Sequence, residues 1–148
     1  MLKQLIELFN LSPEDAEQID TMEAASRGRA MVQKANRALA SAERQIAKAE
    51  QQLWNAQLLC QGRYRDYLHA RKQRPTSRKA AGALEYVALV RLAAGRWEVA
   101  ERMCNRCREK LAAARAAKRE AKEQQNKATT IVRHAERQLN KGQKRRSR

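Results

Sequence analysis

The chain has 148 residues and a net charge of +16, with apolar residues at 43% and only one Phe, two Trp and three Tyr among them. Alanine is the largest apolar contributor, so a large globular core is excluded, and no run of about eighteen apolar residues exists from which to build a membrane span. Three cysteines, an odd number, argue against a disulfide framework and fit a reducing compartment.

The first 26 residues are acidic: six carboxylates stand against Lys3 up to residue 25, a net of −5. Residues 2 to 11 (LKQLIELFNL) are apolar but short, carry Glu7 and precede no small-residue cleavage site, so no secretory signal is expected and a cytoplasmic, bacterial setting is. Ser12-Pro13-Glu14-Asp15 has the order of a helix start: a hydroxyl cap, Pro at the first helical position and an acid three residues beyond the cap. Ile19 and Met22 fall one residue out of phase with the pattern that follows, and Ser26-Arg27-Gly28 lies at the change. Residues 1 to 26 are therefore expected to form a separate short helix or arm, set off by a kink.

From residue 27 to 72 apolar residues recur alternately three and four apart: Val32, Ala35, Leu39, Ala42, Ile46, Ala49, Leu53, Ala56, Cys60 and Tyr67. Such spacing draws one narrow stripe along a helix and requires a partner helix. Residues 73 to 79, around Pro75, are the one strong interior breaker and predict a basic turn. The beat resumes over 80 to 140 at Ala83, Tyr86, Val90, Ala93, Trp97, Ala100, Cys104, Cys107, Leu111 and Ala114, lapses at Lys118 and Gln125, and returns at Val132, Ala135 and Leu139. The expected fold is all-α, a long antiparallel two-helix coiled-coil hairpin. Folding about residue 75 places Leu53 opposite Trp97, Ile46 opposite Cys104 and Leu39 opposite Leu111. Residues 141 to 148 hold no apolar side chain and are expected to be a disordered basic tail.

Little in the pattern points to catalysis. His69 and His134 have no companion nucleophile, paired carboxylate or glycine-rich phosphate loop, and two paired helices offer no sheltered site. Cys104-Asn105-Arg106-Cys107 has the spacing of a zinc or redox half-site, but both thiols fall on the seam, and the register above leaves Cys60 about 20 Å from Cys104. They read as small core residues, with no metal or other cofactor expected. Trp54 and Tyr64, off the seam, are candidate anchors for a protein partner. Arg71, Lys72, Arg74, Arg78 and Lys79 form an acid-free cluster at the turn that could grip phosphates, which makes a basic helical nucleic-acid-binding protein the alternative reading.

A small basic chain of two long helices joined near its middle resembles the central-stalk family of type III secretion and flagellar export, the FliJ, YscO and HrpO group. The likeness covers roughly residues 27 to 140. It includes the aromatic-basic stretch Gln61-Gly62-Arg63-Tyr64-Arg65-Asp66-Tyr67 before the turn and Leu84-Glu85-Tyr86-Val87 after it. The resemblance implies a non-enzymatic stalk or adaptor that binds the hexameric export ATPase and couples it to the export gate and to secretion chaperones. On that reading Arg133, Arg137, Lys141, Lys144, Arg145 and Arg146, or the basic turn, would meet acidic loops of the ring.

Overall fold

The computed structural model describes residues 12–75 and 80–147. All regular structure among the described residues is helical: α1 (Pro13–Lys72) and α2 (Ala80–Arg146) pack against each other. Ser12 caps α1 as its sequence predicts, its Oγ accepting from the Asp15 N–H at 3.2 Å and donating to the Asp15 carboxylate at 2.6 Å. At the other end Gln73 N–H closes the last turn on the Ala70 carbonyl at 3.2 Å. Acids in the first turn and His69, Arg71 and Lys72 in the last suit the helix dipole.

Two expected boundaries do not hold. α1 passes through residues 26 and 27 without a break, because the beat is carried upstream by positions that are not large apolar ones: Gln18, Thr21, Ala25 and Gly28 face the seam, while Ile19 and Met22 are exposed. The part of the arm before Ser12 lies outside the described residues. The expected tail is likewise helical through Arg146; Lys, Arg and Gln are good helix formers, so lack of apolar residues does not stop the helix.

The chain divides into two compact units, one joining residues up to Ala42 with those from Ala117 onward, the other spanning Glu43–Ala116. In the first, Ala16, Ala25, Ala35 and Ala42 of α1 and Ala121, Ala128 and Ala135 of α2 are buried. A Cβ added at Gly28 would lie 2.8 Å from Val132 Cγ2 and at ordinary contact distance, 3.5 Å, from the Val132 backbone nitrogen, so a methyl here would press on the Val132 side chain. Gln125, expected to interrupt the seam, is half-buried and donates to Asn36 Oδ1 across it at 2.6 Å.

In the second unit the register differs from expectation. Trp97 does not face Leu53; its ring lies against Tyr64, centroids 4.9 Å apart, and stacks on Tyr67 at 5.4 Å. Cys104 lies beside Cys60, near enough for the two thiols to interact, and not against Ile46. Leu39 belongs to the first unit and Leu111 to the second. Cys60 lies fourteen residues beyond Ile46, two whole heptads, so the beat itself is unaffected by the shift.

The shift carries through to the end of α1, where Pro75 lies beside the first turns of α2, its Cβ 3.9 Å from where a Cβ on Gly82 would stand. The Tyr86 hydroxyl donates to the Arg71 carbonyl at 3.1 Å. Gly82 rather than Ala83 is accordingly half-buried, and Ala83 is exposed.

Two measurements test this packing. Mild oxidation should join Cys60 to Cys104 in a crosslink visible as a mobility shift on non-reducing gels and lost in Cys60→Ser; the symmetric register about Pro75 gives no such product. Gly28→Ala should destabilise by about 1 kcal/mol or more in thermal melts, because overpacking against Val132 outweighs the gain in helix propensity. Gly62→Ala, with nothing within 4 Å of its added methyl, should instead stabilise by roughly 0.5–1 kcal/mol.

Candidate interaction surfaces

Side chains at the turn end of the second unit are organised by the aromatic group. Tyr64 and Tyr67 stand 6.5 Å apart on successive positions of one helix face, and Trp97 meets both from α2. Aromatic pairs at these separations contribute roughly 0.5–1.5 kcal/mol each beyond area burial. Tyr64, expected as a partner-facing anchor, therefore packs against the other two rings while remaining 42% exposed; Trp54, 60% exposed, stands clear.

Of the basic turn, Arg71 is tied into this group, its guanidinium 5.7 Å from the Tyr67 ring centroid. Lys72 and Arg74 are exposed, and Arg78 and Lys79 lie outside the described residues. The second basic cluster belongs to the other unit. Arg133, Arg137, Lys141, Lys144 and Arg145 are exposed, and Arg146 is the last residue of α2. Lys141 and Arg145 share one open cleft with Glu14 and Glu17, so the acidic start of α1 faces the basic end of α2. The six seam residues named from the sequence separate by burial: Cys104 and Leu111 are buried, while Leu39, Ile46, Leu53 and Trp97 are half-buried, as befits a contact between two helices only.

The thiols lie closer together than the sequence register implied. Cys104 is buried, and Cys60 from α1 and Cys107 from the next turn of α2 are both near enough to act on it. Burial above all, and then the neighbouring Cys60 thiol, pushes the Cys104 thiol up, against the opposing effect of Arg108. Among the described residues no three His, Cys, Asp or Glu side chains are placed to hold a metal ion together. His69 shares a 2.8 Å hydrogen bond with the Gln73 side-chain amide, and His134 is exposed beside Asp20 and Gln138.

One surface escaped the sequence reading. Leu92, Gly95, Val99 and Met103 form a second stripe on α2, parallel to the seam positions Ala93, Trp97, Ala100 and Cys104, and with Leu59 of α1 they line a shallow groove. Its signal was present: large apolar residues off the seam beat at helical spacing.

No protein-family model, curated protein or solved structure matches the chain.

The raised Cys104 pKa has a pH consequence whose sign is fixed. The folded state holds the thiol proton more tightly than the unfolded chain, so the contribution is fully present below the unfolded thiol value, about 8.5, and is lost as pH rises above it. Urea unfolding across that range should show stability falling more steeply with pH in the native chain than in Cys104→Ala, with the two pH slopes alike around neutrality, where the contribution is constant.

Proposed function

We propose that this chain is a non-enzymatic stalk or adaptor of a type III protein secretion apparatus, acting in the bacterial cytoplasm or at its inner face. It binds the hexameric export ATPase and couples it to the export gate and to secretion chaperones. The observation that carries the reading is the pairing of two long helices, Pro13–Lys72 and Ala80–Arg146, through an alanine seam with no buried polar or charged residue among the described ones. Function then falls to the outer faces, which bear nearly all of the charge. Paired helices that present different side chains to successive subunits of a ring bias those subunits' nucleotide states through unequal contacts, which is coupling in the thermodynamic sense.

The basic clusters give this reading its contacts: Arg133, Arg137, Lys141, Lys144, Arg145 and Arg146 on the last turns of α2, and Lys72 and Arg74 at the turn. Reversing Lys141, Lys144 and Arg145 to Glu should abolish stimulation of the source organism's export ATPase by the purified chain, measured as phosphate release. A parallel reversal of Lys72 and Arg74 locates the contact if the first variant stimulates normally; stimulation unchanged in both removes the ring from the account.

The same exposed bases favour a second reading, binding to nucleic acid. The chain's net charge of +16 supports it, and its mark would be an RNA mobility shift that weakens steeply with salt yet persists near physiological ionic strength.

A further inference from the structure

We infer that the groove around Gly95 is the docking site for one amphipathic α-helix of a partner protein, apolar on the face it buries and acidic along its flanks. The inference is independent of the secretion reading and concerns a face that the basic clusters do not use.

The first argument is the width of the apolar surface. A two-helix pair needs one stripe on each helix, and α2 supplies that stripe through Ala93, Trp97, Ala100 and Cys104. Leu92 and Val99 nevertheless remain 54% and 55% exposed, and Leu59 and Met103 about two-fifths exposed, although all four border a single depression. Leu92, Gly95 and Val99 follow at i, i+3 and i+7, the spacing that a further helix lying alongside would read. Scattered surface leucines need no explanation, but a stripe in heptad phase beside an existing seam is the pattern of a three-helix contact.

The second argument is the floor. Gly95 has no atom within 4 Å of an added Cβ, so its place on the stripe is open toward solvent, and Ala100 behind it is buried. A gap of that kind between Leu92 and Val99 accepts a large side chain from an incoming helix, as a hole accepts a knob.

The third argument is charge, and it selects the occupant. Arg63, Arg91 and Arg96 rim the groove. Arg63 pairs with Asp66 at 3.6 Å, whereas no carboxylate pairs with Arg91 or Arg96 among the described residues. Two guanidinium groups beside an apolar floor attract carboxylates at the flanking positions of a docked helix and repel a basic one. A second copy of this chain carries the same +16 charge, which disfavours it as the occupant.

The test uses the full chain and a fluorescein-labelled synthetic helix of about three heptads, with Leu at the core positions and Glu at the flanks. Two control peptides accompany it: one with Lys in place of Glu, the other of the same composition with the apolar periodicity scrambled. Anisotropy should show saturable binding of the Glu-flanked helix alone, weakened at least tenfold by Gly95→Trp and again by Arg91→Glu with Arg96→Glu. Because the Gly95 site is open, the Gly95→Trp variant should keep the native helical spectrum and melting profile. Equal binding of the scrambled acidic peptide, or binding indifferent to Gly95→Trp, would reduce the effect to bulk charge and overturn the proposal. So would sedimentation of the chain alone as a dimer that Gly95→Trp dissociates, since the groove would then be a contact between copies.

Discussion

Close approach of two backbones through small side chains is the constraint on which the rest of this molecule depends. Twelve of the fourteen buried apolar side chains among the described residues are alanine, so each layer removes little area from water and the pairing is cumulative along the helices. At Gly28 even an added methyl would press on the Val132 side chain. Larger seam residues such as Leu39, Ile46 and Leu53 stay half-buried because only one helix covers them. The surface left over is wide, and it is there that arginines, tryptophan and the stripe beside Gly95 are displayed.

Electrostatics follows the same division. Two ion pairs that cross between helices, Arg29 with Glu136 in one unit and Arg115 with Glu50 in the other, lie at 4.0 and 3.4 Å on exposed flanks, where each contributes little to stability. Their value is in orientation, since they favour the antiparallel match over alternatives that bring like charges together. The acidic first turns of α1 share a cleft with basic residues of α2, which lowers the repulsion that so basic a chain imposes on itself.

Much of the fold was legible in the residues. Ser12 and Asp15 announced the start of α1, Pro75 its end, and the beat of threes and fours the seam. What the beat could not convey was register, because a pattern that repeats every seven residues is satisfied equally after a slide of fourteen. The deciding contacts are the non-repeating ones: Tyr64 and Tyr67 on Trp97, Cys60 on Cys104, Asn36 on Gln125. The expected kink at Ser26 failed for a related reason. Hydropathy weighed Ile19 and Met22 above Thr21 and Gly28, whereas in a tightly packed seam smallness qualifies a residue for the interior as well as apolarity does. Of the candidate surface, Trp54 and the basic clusters were visible as unpaired features, but the groove at Gly95 needed the second helix in place before Leu59 could be seen to complete it.

The indifference of the seam to whole repeats also bears on how such a chain can change length. Removing seven residues from α1 together with their seven counterparts in α2 keeps the remaining layers matched, along with the cap at Ser12 and the aromatic lock near the turn. Loss of seven from one helix alone sets that lock against the layers beyond the cut. Descendants of this sequence are therefore free to lengthen or shorten in coupled steps, and a lone insertion is tolerated only outside the zipped stretch.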